Sequence, residues 1–545
     1  MRQHRRLDGG TLSRAALGSA LVALLSVYPS RGLPAQSLSP RDSALHALNR
    51  LAYGPRPGDV DRLAAMGTLR WIDQQLDPNR LDNHVLAERE RTFTLLGMSR
   101  EDLGTAYFDE QRARRERQMS AGADSAMRQG PDPADQTPEA LRGRRLAGEL
   151  QELAVVRAVM SERQLEEVMV DFWINHFNVF MGKGADRFLL PDYIEHVIRP
   201  RALGKFEDLL IATAQSPAMM FYLDNWQSVT PGSWAPEVAR AAARRPELAA
   251  RMPQGINENY ARELMELHTL GVDGGYTQAD VIAVARILTG WSIARPQQGG
   301  AFEYHDWAHD RGMKVVLGDT FPAGHGQDEG LRLLHRLAHE HATMHHVSRQ
   351  LCARFVADDP PDGCVDDAVA AWQRSDGDIR AVLRAIFHGP DFWAPQNVAN
   401  KVKTPLEFVV SAIRATGADP DTSPRLAQVV ARLGEPLYLH VAPDGYPERQ
   451  DDWVNSGALL ARMNAAVGLA AGKLPGVTVA LDTLIPATAD APALLDAIDR
   501  RLLGGAMSAH TRSVIEQQLA DVTDPAARRN LAIGLALGGP EFQKQ

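Results

Sequence analysis

Cysteine is nearly missing from this chain, with only Cys352 and Cys364 among 545 residues. That scarcity excludes a multi-disulfide scaffold and a cysteine-rich zinc centre. One local bridge across VADDPPDG remains open to an exported protein and would contribute about 3 kcal/mol. Two buried thiols at unrelated sites are the alternative. Positive charge is also short: 59 Lys and Arg against 68 Asp and Glu give a formal charge of −9, which argues against nucleic acid as a partner. Long apolar runs are missing after the amino terminus, so no membrane span is expected there. β-Branched alternation is scarce. No GxSxG elbow, P-loop, GxGxxG turn or HExxH pair occurs, which removes support for hydrolase triads, nucleotide binding, Rossmann chemistry and zinc-protease geometry.

What is present begins with an export pattern. Arg2, Arg5, Arg6 and Arg14 precede an apolar run from Ala15 to Val27, and small residues follow around Ala35. The run is shorter than the roughly 20 residues that a bilayer span needs, so residues 1–35 read as a cleavable signal and the protein as secreted or periplasmic. The Arg5-Arg6 pair raises twin-arginine export, but its flanks fit the general secretory route better. A cut after Ala35 removes five Arg and one Asp and takes the formal charge from −9 to −13.

Residues 36–545 read as a single, mainly α, multi-helix globular domain. Apolar residues recur at three-to-four spacing, with Gly and Pro between the segments. Residues 112–144, rich in Arg, Gln, Gly, Asp, Pro and Ala, read as a mobile insertion. FEYHDWAHDRGMKVVLG, residues 302–318, reads as one small β-hairpin, with Phe302 and Tyr304 on one arm and Val315 and Leu317 on the other.

ENYARELMELHTLGVDGGYTQADV, residues 258–281, concentrates ionisable groups on one helix. With Asn257 as N-cap and Gly271 just past the end, Ile256, Tyr260, Leu264 and Leu267 form the apolar stripe. Glu258, Arg262 and Glu266 then line the wet side as an i, i+4 ladder. Glu263 borders the buried face, where a carboxylate must be paired, hydrogen-bonded or protonated, so it is the candidate acid or base. The alternative role for it is a buried ion that holds neighbouring helices in register. His268 flanks the stripe, and Thr277 with Asp280 forms a capping box.

Three further clusters stand out. DFWINHFNVF, residues 171–180, sets His176 among aromatics, as a core histidine or a pocket wall, with Asp171, Asn175 and Asn178 on the adjoining face. HDWAHD, residues 305–310, offers His309 and Asp310 as ligands for a divalent metal. HRLAHEHATMHH, residues 335–346, spaces His335 from His339 and His341 from His345 by one turn, either as a solvated face or as an adventitious metal site. KVKTPLEF and PDGYPERQDDWVNSGALLARMN fit cleft borders and helix starts equally well.

NRLAYGPRPGDV, ENYARELMELHTLGVDGGYTQADV, HDRGMKVVLG, HATMHHVSRQLCARFV, DIRAVLRAIFHGPDFW, KVKTPLEFVVSAIRATG and DDWVNSGALLAR, in that order, resemble the secreted bacterial proteins grouped as domain of unknown function 1800. The resemblance covers nearly the whole mature chain. It implies signature positions at Arg50, Gly54, His176, Glu258, Asn259, Arg262, Glu263, Glu266, His268 and Gly271. It implies others at Thr277, Asp280, His309, Asp310, Lys314, His341, Lys403 and Arg462. No activity or cofactor comes with it, but a phosphatase-like or sulfatase-like protein encoded nearby is implied as an extracytoplasmic partner. The doubled HDWAHD, and HEHAT where a proline commonly precedes Ala-Thr, depart from the family pattern and argue against His305 and His339 as functional residues.

Two classes of function are therefore expected. The first is an exported enzyme, a hydrolase of an envelope or extracellular polymer such as a glycan. Its candidate catalytic residues are Glu263 as acid or base, Arg262 and His268 to orient, and His176 or His309 for a second proton transfer. The second is a non-catalytic helical scaffold that binds the phosphatase-like partner or a polymer.

Overall fold

Helix starts follow the capping residues. Ser39 accepts a hydrogen bond from Asp42 N ahead of helix Pro40–Leu51, Thr137 from Ala140 N ahead of Pro138–Met160, and Asn455 from Ala458 N ahead of Ser456–Ala470. Reciprocal capping boxes open helices Gln278–Ile287 (Thr277 with Asp280) and Pro405–Thr416 (Thr404 with Glu407). The computed structural model describes residues 38–120, 137–234, 239–240, 244, 255–294, 300–488 and 490–545. The expected signal segment lies outside these residues.

The architecture is mainly α. Its β structure, among the described residues, is three two-stranded antiparallel sheets. Two helices sit at the centre. Every residue of Pro405–Thr416 is buried, and Gln164–His176 is buried over most of its surface, the signature of helices surrounded by others. Pro405–Thr416 packs against Pro138–Met160, Arg425–Arg432 and Ser456–Ala470. One apolar cluster runs from Ala44 to Phe542, and residues 38–545 form one compact unit. No helix among the described residues is long and apolar enough to cross a membrane.

Two expectations change. Phe302–Tyr304 pairs with Trp291–Ile293, while Lys314–Val316 pairs with Asp319–Phe321. The two arms expected to form one hairpin therefore belong to two different ones, because the short turn after Leu317 (φ 49) and Gly318 (φ 80) sends the chain back locally. Helices Arg100–Ser120 and Pro138–Met160 also occupy both flanks of the expected mobile stretch 112–144. Its Arg, Gln, Glu and Ala are good helix formers, and Arg112 pairs with Asp109 while Arg187 clasps Glu110. Residues 121–136 lie outside the described set. The two cysteines, in contrast, are joined, with Cα atoms 6.3 Å apart.

The core carries ions as well as hydrocarbon. Arg354 pairs with Glu407, and both are almost fully buried. Arg414 donates to Gly54 O (2.9 Å) and Val159 O (2.8 Å), and Arg50 donates to Asn397 O (3.0 Å). Gly54 sits at φ +83 with Ser411 Cβ 3.1 Å from where its own Cβ would be, so glycine is required there. Replacing Arg354 with Met strands the Glu407 carboxylate in the interior. Urea unfolding is expected to show a loss of about 3–5 kcal/mol, part of which the double variant Arg354→Met/Glu407→Gln recovers because no lone charge remains.

Candidate functional site

Helix Glu258–Glu266 starts as its sequence dictates, with Asn257 Oδ1 accepting from Asn259 N at 2.8 Å and Tyr260 and Leu264 buried. Gly271 (φ +83) ends the segment, and a Cβ there would meet His346 Nδ1 at 2.8 Å. Arg262 faces outward, 3.6 Å from Glu258 and 2.9 Å from Gln278, which is the solvated ladder. Glu266 accepts from the Tyr276 hydroxyl at 3.2 Å. Glu263 is half-buried and makes no side-chain hydrogen bond or ion pair among the described residues. Burial raises its pKa, the Glu266 and Asp444 carboxylates add to the rise, and Arg262 opposes it.

The imidazole expected beside Glu263 points elsewhere. His268 is linked to Glu263 through the backbone, its N–H donating to Glu263 O at 3.0 Å. Its ring is buried against Phe177 (centroids 5.1 Å apart) and His176 (6.2 Å). His176 Nε2 lies 3.2 Å from His268 O, and His346 Nε2 lies 3.3 Å from Leu267 O. Burial pushes His176 down to about 3, and it lowers His268 and His346 as well, so these rings are neutral at pH 7. They dock the carboxyl end of the Glu258–Glu266 segment onto helices Gln164–His176 and His341–Phe355. His346 was not singled out by sequence, although its helix was.

His309 belongs to a different network. Its Nδ1 lies 2.9 Å from Thr289 O and its Nε2 3.4 Å from Glu329 Oε2, which also takes the buried Lys314 ammonium at 2.5 Å. Asp310 turns the other way, with Arg286 Nε on one oxygen (2.7 Å) and Arg286 Nη2 and Gly312 N on the other. The expected metal pair is thus replaced by two separate ion pairs. His309 and Asp310 fall in no group of three or more potential ligands among the described residues. The structure therefore brings His176 and His268 together and leaves Glu263, Arg262 and His309 in three other surroundings.

A different set of carboxyl groups converges. Asp171 on helix Gln164–His176, Arg354 on helix His341–Phe355, Thr404 and Glu435 line a cavity of about 40 Å³, closed by Tyr438, Tyr446, Glu448 and Trp453. Asp171 and Tyr438 also line an adjoining cavity of about 30 Å³. Burial raises Asp171 to about 7 against the pull of Arg354, and it raises Glu435 to about 8 with Asp171 adding to the rise. Glu435 Oε2 accepts from Leu406 N at 2.8 Å, at the start of helix Pro405–Thr416. Glu407, paired with Arg354 and hydrogen-bonded by Gln545 and Thr404, is instead held down at about 2.

The loop over this cavity is fixed by amide side chains. Asn175 Nδ2 donates to Tyr446 O (2.8 Å), and Asn175 Oδ1 accepts from Tyr446 N (2.6 Å). Asn178 Nδ2 donates to Ala442 O (2.6 Å) and His440 O (3.1 Å). A Cβ on Gly445 (φ +73) would lie 2.4 Å from Asn175 O, so only glycine permits this approach. Tyr438 holds φ 62, a left-handed conformation costly for a bulky residue and common where function constrains the backbone.

A larger cavity, about 240 Å³, lies beside helix Pro40–Leu51 and includes His46, Lys403 and Glu541. Its titratable groups are already engaged. Lys403 donates to Phe542 O (2.8 Å), His46 Nε2 lies 2.8 Å from Phe392 O, and Glu541 accepts from Thr511 Oγ1 (2.7 Å). The smaller cavity, with two carboxyl groups of raised pKa and a guanidinium, carries more chemistry.

The family model described as a protein of unknown function, DUF1800, matches residues 46–544. No curated protein and no solved structure matches the chain.

The two raised carboxyl groups make a stability prediction with a definite sign. In the folded state Asp171 and Glu435 keep their protons up to about 7 and 8, whereas the unfolded chain releases them near 4, so their contribution is complete below pH 4 and lost as pH rises through 8. His46, His176 and His268 are held neutral and act oppositely, losing stability as pH falls below 6.5. Unfolded imidazole is half-protonated at about pH 6.5, so the histidines add a smaller opposing rise up to about pH 7.5, and comparing variant with wild type isolates the carboxyl effect. Asp171→Asn/Glu435→Gln is expected to remove about 2–3 kcal/mol of the wild-type decline between about pH 6.5 and 8.5, read by urea unfolding at each pH. An undiminished decline would mean that these groups are already ionised.

Proposed function

We propose that this chain, which belongs to the DUF1800 family, is an exported acid–base enzyme whose reacting pair is Asp171 and Glu435. The observation that carries the reading is the pair itself: two carboxyl groups, the buried Glu435 and the part-buried Asp171, raised to about 8 and 7, line one cavity with one guanidinium beneath a strained loop. Export is supported by the Arg2-to-Ala35 pattern and by the Cys352–Cys364 bridge, which is durable in an oxidising compartment.

The chemistry follows from the two environments. Arg354 favours the ionised form of Asp171, which takes a proton from water, while Glu435, which makes no ion pair among the described residues, donates its proton to a leaving oxygen. The cavity has room for a few waters, one of which is the nucleophile for hydrolysis. The scissile group of an envelope or extracellular polymer is presented at the rim of the cavity, beside the half-buried ring of Tyr446. Glu263 has no part in this step.

The small volume favours a second reading, since about 40 Å³ admits water and not a sugar ring. There the chain is a non-catalytic helical scaffold for a phosphatase-like or sulfatase-like extracytoplasmic protein, and the carboxyl pair only fixes helix register. Purified protein challenged with glycan, peptidoglycan and ester libraries separates the two. Asp171→Asn and Glu435→Gln are each expected to lower kcat at least about 100-fold with folding intact, while Glu263→Gln changes it less than twofold. Inactivity of the wild type on every class, or full activity of Asp171→Asn, would refute the enzyme. A stable complex with the phosphatase-like protein would then support the scaffold.

A further inference from the structure

Away from this cavity, side chains from separate parts of the chain meet at the surface. Helix Gln327–Ala338 carries His335, and His339 follows one turn later as its C-cap, with ring centroids 4.4 Å apart. Glu207, in the first turn of helix Phe206–Ala214, reaches both: Oε1 is 3.0 Å from His335 Nδ1, and Oε2 is 3.8 Å from His339 Nδ1. One ligand atom from each residue lies within 4.8 Å of the other two, and among the described residues no other group of three or more His, Cys, Asp or Glu does this.

We propose that Glu207, His335 and His339 bind a divalent transition ion of the zinc class, with the remaining coordination positions open to solvent. Two imidazoles and a carboxylate form a donor set suited to Zn²⁺. Ligand bonds of about 2.0–2.2 Å in tetrahedral array place donor atoms roughly 3.3–3.6 Å apart. One atom from each of the three residues already lies within 4.8 Å of the others, with a Glu207 oxygen 3.0 Å from one imidazole and its second oxygen 3.8 Å from the other. An outer partner is in place as well: His339 Nε2 lies 2.8 Å from Asp376 Oδ1. A proton held on Nε2 by that carboxylate leaves Nδ1, the nitrogen facing Glu207, to offer its lone pair. His339 Nδ1 is 2.8 Å from His335 O and donates to it, so ligation turns the ring from that carbonyl and releases the Nδ1 proton.

Main-chain hydrogen bonds hold these pieces in position. Phe206 N donates to Gly377 O (3.0 Å) and Ile379 N to Gly204 O (2.9 Å), which fixes the Asp376 turn beside the start of the Glu207 helix. The Lys205 ammonium takes the other oxygen of Asp376. The neighbouring pair His341 and His345 has the same one-turn spacing but belongs to no such group among the described residues, so the chain supplies its own control.

Calorimetric titration of the purified protein with Zn²⁺, together with thermal unfolding, tests the proposal. One saturable ion per chain and an upward shift in Tm are expected. Glu207→Gln, His335→Ala and His339→Ala should each weaken binding at least about tenfold, and Asp376→Asn by about tenfold, with circular dichroism unchanged. His341→Ala/His345→Ala should bind as the wild type does. Wild-type affinity in Glu207→Gln, loss of binding in the His341/His345 variant, or no saturable site would each overturn it.

Discussion

The interior of this protein is organised around one guanidinium. Arg354 is fully enclosed, and an ion of that kind persists inside only with a partner of opposite charge and good geometry. Glu407 is that partner, and its own position is set by the capping box that starts helix Pro405–Thr416. The ion pair thus links the start of one wholly buried helix to the last turns of helix His341–Phe355. That second helix also carries Cys352, bridged to Cys364, and His346, which docks the Glu258–Glu266 segment. Covalent, ionic and hydrogen-bonded restraints all act on the same helix, so the walls around Asp171 and Glu435 have little freedom to shift.

Much of the fold was legible because its determinants are local. Asn257, Gly271 and the Thr277–Asp280 box do what helix-terminus chemistry requires of them, and the outward ladder of Glu258 and Arg262 follows from helical spacing alone. The paired strands were less legible. Phe302 and Val315 alternate like the arms of one hairpin, yet each arm found a closer neighbour across a shorter turn. Periodicity identifies strand-forming residues but not their partners.

The candidate site was hidden for a different reason. Asp171 was visible as a polar residue on an aromatic helix with Asn175 and Asn178, and Thr404 and Trp453 lay in segments that fit cleft borders. Glu435 and Arg354 carried no local signal, since each lies in an ordinary loop or helix end and becomes unusual only when residues 171, 354, 404 and 435 meet. Glu263, conspicuous by its place on the helical wheel, proved to have a mainly acidic neighbourhood and no imidazole on its side chain. Wheel position reports which face is buried, and it is silent on what packs there.

Charge balance explains why the site's carboxyl groups are raised in pKa rather than paired. One guanidinium faces Glu407, then Glu448, whose Oε2 is 3.9 Å from Arg354, and beyond them Asp171. Glu407 takes the direct contact and is held at about 2, so the positive charge is largely compensated before Asp171 feels it. Glu435 receives the Leu406 N–H and the Thr404 hydroxyl but no cation in contact, and these hydrogen bonds do not offset the loss of water around a carboxylate. Burial raises both carboxyl groups, and Arg354 opposes that rise at Asp171. A second full cation in the cavity would drive both groups to the ionised form and leave no acid to donate. The arrangement is therefore poised by having one arginine already committed elsewhere, and acid–base work near neutral pH depends on that commitment.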